Sequence, residues 1–241
     1  MTAARRVLIV MPAFNEEEAV GASIADVLRT LPGAGCLVVD DGSRDATVER
    51  ARAAGALVAR LPYNLGVGGA MRVGFRFALE HGYDVVVQID SDGQHDPAYV
   101  PELLARLDDA DVVLGARFAG VGDYRTRGPR KWAMSVLSTI LSRTAGTRLT
   151  DTTSGMRASG PAAVRFFAEN YPAEYLGDTI ESLTLAARAG LRVVQVPVVM
   201  RERQGGVPSH DFWKSTVFLG RAAIALVFAH MRSVSTLAGR P

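Results

Sequence analysis

Short hydrophobic runs alternate along this chain with longer amphipathic stretches. Runs at residues 7–11, 36–39, 57–59, 85–89 and 112–114 predict buried strands. Between the first two runs, residues 19–31 carry apolar side chains at helical spacing, and Pro32-Gly33 ends that pattern. Strands that alternate with helices at this spacing build βαβ units. We therefore expect an α/β fold with a mainly parallel sheet.

The second half of the chain shows a less regular pattern. It predicts helices at residues 131–143, from Gly160-Pro161 onward and at 179–189, with a loop or short strand at 149–157. Pro197 interrupts a strand predicted at 191–199 and indicates a sheet edge or a bulge. Residues 212–231 are apolar but carry charges, which leaves no uninterrupted run near ~18 residues. We expect one domain over residues 1–210 and a terminal helix in 211–241, packed on it or lying at a membrane surface.

Oxygen-bearing side chains follow one strand at every second position. They are Asp90, Asp92 and Gln94, which would share one face of an extended segment. Neighbouring carboxylates repel each other, which favours a divalent cation between them, and carboxylate and amide oxygens suit Mg²⁺ or Mn²⁺. An Asp-x-Asp is also common in surface turns. Asp96-Pro97 predicts a helix start directly afterwards. A strand, a loop and a helix in this order place the loop at the carboxyl edge of the sheet, where we expect the metal site.

Composition and charge exclude several classes of protein. With 48% hydrophobic and 22% charged residues, the chain of 241 residues is typical of a folded domain. A net charge of +2 argues against a general nucleic-acid binder. The single cysteine, Cys36, lies in a predicted strand, so no disulfide framework exists. Residues 3–6 lead straight into the first strand without a hydrophobic signal segment, and we expect a cytoplasmic protein.

Three further regions offer groups for a nucleotide sugar. Asp40 and Asp41 follow the second strand and can accept hydrogen bonds from a base or a ribose; the alternative role, helix capping, is predicted for Asp45. The glycine-rich turn at 64–69 lets backbone approach a ligand, but it lacks the spacing of a P-loop or a dinucleotide fingerprint. Arginines crowd residues 115–130, where guanidinium groups could stabilise a departing diphosphate. A solvated basic loop is the alternative.

Several motifs, taken in order, resemble those of family 2 glycosyltransferases of the GT-A fold. They are Pro12-Ala13-Phe14-Asn15-Glu16, residues 39–47 from Val39-Asp40-Asp41 to Thr47, Asn64-Leu65-Gly66 and Asp90-Ser91-Asp92-Gly93-Gln94. The later motifs are similar to those of dolichyl-phosphate mannose synthases and related polyprenyl-phosphate glycosyltransferases. These are Gly115-Ala116-Arg117-Phe118, residues 151–157 from Asp151 to Arg157, and the stretch from Arg203 through Gly206 to Ser209. The resemblance covers residues 7–209.

This resemblance implies a Rossmann-like nucleotide-binding sheet flanked by helices, with a role for each matched residue. The nucleotide would be bound by Pro12, Ala13, Phe14, Glu16, Val39, Asp41, Asn64, Asp90 and Ser91. The metal, Mg²⁺ or Mn²⁺, would be held by Asp90, Asp92 and Gln94. Catalysis would depend on Asp92, Arg117 and Arg130. The acceptor or its phosphate would be contacted by Arg127, Ser154, Arg157, Arg203 and Ser209.

The activity implied is metal-dependent, inverting transfer of a sugar from a UDP- or GDP-linked donor to a polyprenyl phosphate at the inner face of the cell membrane. A phosphate acceptor is already an anion and needs no general base. A hydroxyl acceptor would need one, and Asp178 and Glu181 are then candidates, although both also suit a helix N-terminus. No nucleic acid is expected as a partner. The sequence leaves open whether the protein forms a homodimer.

Two departures from the family pattern keep other functions open. After Arg203 the family usually has Gly-x-Ser-Lys, whereas this chain has Gly206-Val207-Pro208-Ser209-His210. We also expect none of the membrane-spanning segments that many relatives carry. Transfer to a hydroxyl of a soluble molecule or a glycan is therefore an alternative. A nucleotidyltransferase would carry a glycine- and basic-rich motif after the first strand, unlike residues 12–17. A non-catalytic nucleotide-sugar binder or a membrane-associated scaffold is the remaining alternative.

Overall fold

The computed structural model describes residues 5–117, 138–172 and 178–201. Within them, one sheet is formed by strands β1 (Val7–Ala13), β2 (Gly35–Asp40), β3 (Leu57–Arg60), β4 (Val85–Gln88), β5 (Val112–Ala116), β6 (Arg157–Ser159) and β7 (Val193–Pro197). The helices are α1 (Val20–Thr30), α2 (Thr47–Ala53), α3 (Gly66–Glu80), α4 (Val100–Arg106), α5 (138–145 in its described part), α6 (Pro161–Asn170) and α7 (Asp178–Arg188). A 3₁₀ turn, Pro97–Tyr99, precedes α4.

The strand order is β3-β2-β1-β4-β6-β5-β7, and every neighbouring pair is parallel except the two that involve β6. This confirms the predicted α/β architecture with a mainly parallel sheet. Strand β6 runs antiparallel because the chain comes back to the sheet at the carboxyl edge. Arg117, just after β5, and Asp151, shortly before β6, are in contact at that edge. Strand β7 lies at the end of the sheet, as Pro197 predicts.

The sheet is buried on both faces, which explains its nearly continuous apolar strands. One face packs against α3, α5, α6 and α7, and the other against α1, α2 and α4. In β4, Val86 points to the first face, whereas Val85 and Val87 point to the second. Helix α3 approaches β1 closely at Gly74, where a Cβ atom would lie 2.5 Å from Val10 Cγ1. This packing fixes the carboxyl edge on which the candidate site is built.

The boundary predicted at residue 210 stays a prediction, because residues 211–241 lie outside the described part. Among the described residues, no helix has the length and apolar character that crossing a membrane requires.

Candidate active site

Side chains join the loops that follow β1 and β2 at the carboxyl edge. Asn15 lies in the left-handed region with φ 54° and makes two bonds to the loop after β2. Its amide donates to Ser43 Oγ (2.8 Å), and its Oδ1 accepts from the Arg44 amide (2.9 Å). The Glu16 amide donates to Thr47 Oγ1 at 2.9 Å. These bonds give the two loops one common framework, on which the predicted nucleotide residues are placed.

Asp45 lies one residue before Ala46, the N-cap residue of α2, so the predicted capping position is off by one. Its Oδ1 accepts from the Thr47 amide at 3.0 Å, at the start of α2. Its Oδ2 accepts from the Glu17 amide at 3.2 Å, which adds another bond between the two loops. Although partial burial alone would raise the pKa of Asp45, these hydrogen bonds hold it below its ordinary value.

Asp41 is buried and binds the start of α3. Its two carboxylate oxygens accept from the amides of Leu65 (2.6 Å) and Gly66 (2.7 Å). Burial, together with the nearby charge of Asp40, raises the pKa of Asp41 despite these two bonds. The positive end of α3 thus already faces a carboxylate, so the glycine-rich turn does not present these two amides to a phosphate. The predicted contact between Asp41 and a nucleoside stays a prediction.

Other predicted nucleotide residues differ in exposure. Pro12, Ala13 and Val39 are buried within β1 and β2, whereas Phe14 is 45% exposed just beyond β1. Tyr63, which the sequence did not single out, is 65% exposed, and its backbone lies 3.1 Å from the position of a Cβ on Gly42. Aromatic rings are therefore exposed in loops that follow β1 and β3, and both loops lie beside the loop after β2.

The prediction that Asp90, Asp92 and Gln94 share one face of an extended segment is wrong. Strand β4 ends at Gln88, and residues 91–93 form a turn in which Gly93 has φ 78°. The Gln94 amide donates to Asp92 Oδ1 at 3.0 Å, which closes an Asx-turn. The carboxylates are therefore placed by a turn rather than by strand alternation, and Asp92 is buried while Asp90 is partly exposed.

Hydrogen bonds from β1, α1 and the turn itself hold this segment in place. Ser91 Oγ donates to the Pro12 carbonyl (2.9 Å), and Ser23 Oγ donates to the Ser91 carbonyl (3.0 Å). The Asp90 amide donates to Nδ1 of the buried His95 at 3.0 Å, so this nitrogen acts as an acceptor. Sequence reasoning did not single out His95, although it directly follows the Asp90–Gln94 motif. It also missed Gln88, a polar residue within the apolar run of β4, which lies beside Asp90.

The carboxylate oxygens of Asp90 and Asp92 suit a hard divalent cation. Gly155 lies against the Asp90 carboxylate, and a Cβ there would be 2.4 Å from Oδ2 and 2.7 Å from Oδ1. No group of three His, Cys, Asp or Glu side chains converges anywhere in residues 5–117, 138–172 or 178–201. Mg²⁺ usually binds through one or two carboxylates together with substrate phosphates and waters. The residues present therefore fit a metal shared with a diphosphate and do not form an all-protein cage.

Arg117 forms a two-point ion pair at the end of β5. Its Nε donates to Asp151 Oδ2 (2.7 Å) and its Nη2 to Asp151 Oδ1 (3.0 Å), and Nη2 also donates to Thr153 Oγ1 (2.9 Å). Burial alone would raise the pKa of Asp151, but the hydrogen bonds and charge of Arg117 hold it below its ordinary value. The ion pair fixes the point at which the arginine-rich passage leaves the sheet.

The remaining predicted residues separate into buried and undescribed ones. Ser154 and Arg157 are buried, and Arg157 donates to Ser182 Oγ (2.9 Å) and to the Ser154 carbonyl (3.3 Å). The structure therefore does not bring Arg157 to the surface, where a phosphate would meet it. Glu181 is half-buried in the first turn of α7. Positions outside the described residues are Arg127, Arg130, Arg203, Ser209 and the side chain of Asp178.

A cavity of about 350 Å³ lies beside the turn, with α1 on one side. Its lining includes Asp90, His95, Asp26 and Arg201. Arg201 donates to Asp26 on α1 (2.5 Å) and to Asp96 (2.6 Å), which connects the segment after β7 to the end of the turn. The predicted loop that contains Arg203 therefore begins close to the Asp90–Asp96 segment.

Comparison with known proteins decides the family. A family model described as glycosyl transferase family 2 matches residues 8–171, more than half of the chain. The chain belongs to glycosyltransferase family 2. It is thus a glycosyltransferase.

Two relatives refine this placement. An undecaprenyl-phosphate mannosyltransferase of Micrococcus luteus is 35% identical over 211 residues, covering 83% of this chain and 86% of that protein. A polyprenol monophosphomannose synthase of Mycolicibacterium smegmatis is 30% identical over 219 residues, covering 84% and 80%. The resemblance to polyprenyl-phosphate glycosyltransferases is confirmed.

A solved structure supports the fold. Glucosyl-3-phosphoglycerate synthase from Mycobacterium tuberculosis, in complex with Mn²⁺, uridine diphosphate and glucosyl-3-phosphoglycerate, matches this glycosyltransferase with a TM-score of 0.71. The match has 22% sequence identity and covers 97% of this chain and 82% of that one. The TM-score confirms the GT-A architecture. At this level of identity the match supports the fold alone.

Proposed function

We propose that this family 2 glycosyltransferase moves a sugar, with inversion, from a nucleoside-diphosphate sugar to a polyprenyl phosphate. The observation that carries the proposal is the turn at the carboxyl edge of β4, where Asp90 lies against Gly155 and Asp92 is buried. Two relatives with at least 30% identity over most of the chain are named undecaprenyl-phosphate mannosyltransferase and polyprenol monophosphomannose synthase. Both the site chemistry and these relatives favour the same reaction.

The donor lies, in this proposal, across the carboxyl ends of β1, β2 and β4. Its nucleoside is bound by Pro12, Ala13, Phe14, Glu16, Val39, Asp41, Asn64 and Ser91. Asp90, Asp92 and Gln94 hold Mg²⁺ or Mn²⁺ together with the diphosphate. The metal, when bound, neutralises negative charge on the leaving nucleoside diphosphate. Uridine and guanosine diphosphate remain the two donor classes to be tested.

The cationic groups of the second half complete the proposed site. Arg117, held in place by Asp151, and Arg130 contact phosphate oxygens and stabilise the departing diphosphate. Arg127, Arg203 and Ser209 contact the acceptor phosphate, and Ser154 and Arg157 support that region from inside the fold. The acceptor phosphate attacks the anomeric carbon directly. It carries its own negative charge, so the described residues need not supply a general base.

The acceptor's chemistry predicts where the enzyme works. A polyprenyl chain stays in the bilayer while its phosphate lies at the surface, so the enzyme would act peripherally at the inner face of the cell membrane.

A transfer assay tests the proposal. UDP- and GDP-linked labelled hexoses are each incubated with enzyme, Mn²⁺ and either polyprenyl phosphate or the free polyprenol, with chelator controls and an Asp92→Asn variant. We expect labelled lipid only with one donor class, polyprenyl phosphate and metal, and a loss of at least about 100-fold in the variant. Transfer to the free polyprenol, or transfer that survives chelation, would overturn the proposal.

A further inference from the structure

Residues 90–94, which carry the proposed metal ligands, are called the metal turn below. A pair of buried polar side chains lies directly behind it, within the apolar face that packs on α3, α6 and α7. Gln88 on β4 and Arg157 on β6 occupy paired register positions and are 4% and 5% exposed. Within the described part of the chain, Gln88 Oε1 and Arg157 Nε have no hydrogen-bond partner. Buried polar groups usually keep a partner, so such a pair in the apolar face indicates a role beyond packing.

Gln88 connects this pair to the metal turn. Its Nε2 donates to Asp90 Oδ1 at 3.3 Å. The same carboxylate lies against Gly155. Asp90 is therefore in contact with both the Gln88 amide and the segment that ends in Arg157.

Arg157 holds the segment that contains Gly155. Its Nη2 donates to the Ser154 carbonyl at 3.3 Å, directly before Gly155 in the chain. Its Nη1 donates to Ser182 Oγ at 2.9 Å, and Ser182 Oγ donates to the Thr179 carbonyl at 3.0 Å. The guanidinium of Arg157 thus connects the segment that contacts Asp90 to the first turn of α7.

We propose that Gln88 and Arg157 are positioning residues that orient the Asp90 carboxylate for the metal and the diphosphate. The inference rests on the proposed function and deepens it. Groups that hydrogen-bond to a metal ligand orient it and tune its affinity, and removing one typically costs about 10-fold or more in metal affinity. Neither side chain touches the substrate.

The test compares two glutamines of the same sheet face. Gln88→Met removes the amide that contacts Asp90 and keeps the length of the side chain. Gln195 on β7 lies in the same row, where it accepts from the Thr150 amide (2.8 Å) and donates to Thr150 Oγ1 (2.9 Å), far from Asp90 in the sheet order. Gln195→Met therefore removes comparable hydrogen bonds without touching the metal turn. A third variant, Arg157→Lys, keeps the positive charge but loses the planar guanidinium.

The readout is binding rather than turnover. Mn²⁺ is titrated into each protein in the presence of saturating UDP or GDP, and thermal unfolding and metal-free nucleotide affinity are measured alongside. We expect half-saturation by Mn²⁺ to rise about 10-fold in Gln88→Met and in Arg157→Lys and to stay at the wild-type value in Gln195→Met. Metal-free nucleotide affinity should not change.

Three results would overturn the inference. One is wild-type Mn²⁺ dependence in Gln88→Met or in Arg157→Lys. Another is an equal shift in Gln195→Met, because it would indicate a general loss of stability. The third is absence of Mn²⁺-dependent binding in the wild type, which would overturn the proposed function as well, whereas the first two leave it intact.

Discussion

Asp41 and Asp151 are both buried carboxylates at the carboxyl edge of the sheet, yet they are stabilised in opposite ways. Asp41, in the first half, binds two backbone amides at the start of α3, and its pKa is raised. Asp151, in the second half, binds the guanidinium of Arg117, and its pKa is lowered. Two amide hydrogen bonds do not offset burial beside Asp40, whereas a full positive charge does.

The difference separates the work of the two halves. In the first half, side chains from the loops after β1 and β2 satisfy backbone groups and hold the proposed nucleotide-binding surface in shape. In the second half, a charge pair fixes Arg117, whose guanidinium is the proposed contact for phosphate. The first half thus holds the loops of the proposed nucleotide site in place, and the second half positions a guanidinium group for the phosphates.

The largest effect is expected from breaking the charge pair. Asp151→Ala leaves the guanidinium of Arg117 without its carboxylate, and we expect the free energy of unfolding to fall by about 3–5 kcal/mol. Urea denaturation measures this change. The control is Asp108→Ala, which removes an exposed ion pair with Arg5 and should cost at most about 1 kcal/mol. Equal losses in the two variants would contradict the proposed difference between buried and exposed pairs.

A smaller loss is expected at Asp41. Asp41→Ala removes the acceptor of two amides at the start of α3 and should lower the free energy of unfolding by about 2 kcal/mol. Asp41→Asn keeps one acceptor oxygen and should lose about half as much, again by urea denaturation. A loss as large as that of Asp151→Ala would mean that backbone and guanidinium partners stabilise these carboxylates equally.

Gly155 tests whether the second half also shapes the metal turn. A Cβ in Gly155→Ala would meet the Asp90 carboxylate at 2.4 Å and push it aside, while the backbone can remain in place because Asp90 is a movable side chain. We expect about 10-fold weaker Mn²⁺-dependent nucleotide binding, with nearly unchanged thermal unfolding. Mn²⁺-dependent nucleotide binding at the wild-type level would show that the close approach of Gly155 to Asp90 has no part in the site.

The smallest effect is a difference in pH dependence. Because the folded-state pKa of Asp151 is lowered, its stabilising contribution is present above its ordinary pKa of 3.8 and is lost as the pH falls below that value. The folded-state pKa of Asp41 is raised, so its contribution is present below 3.8 and is lost as the pH rises through the folded-state pKa. Asp151→Asn should therefore flatten the acid loss of stability.

Asp41→Asn should have the opposite effect. The difference in unfolding free energy between wild type and this variant should shrink as the pH rises above 3.8, whereas the difference for Asp151→Asn should grow as the pH rises. Unfolding curves between pH 3 and pH 7 would reveal both slopes. Slopes of the same sign would contradict the opposite pKa shifts.

Much of the fold could be predicted from the chain because periodicity reports burial. Helix α1 lies within one residue of its prediction, as does α7, and Pro197 correctly indicated an edge strand. The antiparallel direction of β6 could not be predicted, since it depends on where the chain returns to the sheet. Arg157 illustrates the same limit for the site: a basic residue in a motif suggests a phosphate contact, but only packing shows that it is buried beneath α7.

The metal turn shows why a correct motif can carry a wrong geometry. Alternation placed Asp90, Asp92 and Gln94 on one face of an extended segment, but β4 ends at Gln88. A turn with Gly93 at positive φ and the Asx-turn of Asp92 follow it. Local hydrogen bonds of this kind compete with strand extension, and hydrophobic pattern does not reveal them. Gln88 did leave a signal, as a polar residue within an apolar run, although its contact with Asp90 required the fold.

Calorimetric titration of the protein with UDP and with GDP, each with Mn²⁺ and with chelator, tests the central claim most directly. We predict that one nucleotide binds tightly only with Mn²⁺, and that Asp92→Asn removes this metal-dependent binding while the protein stays folded. Metal-independent binding, or no binding of either nucleotide, would contradict a metal and diphosphate site at Asp90, Asp92 and Gln94.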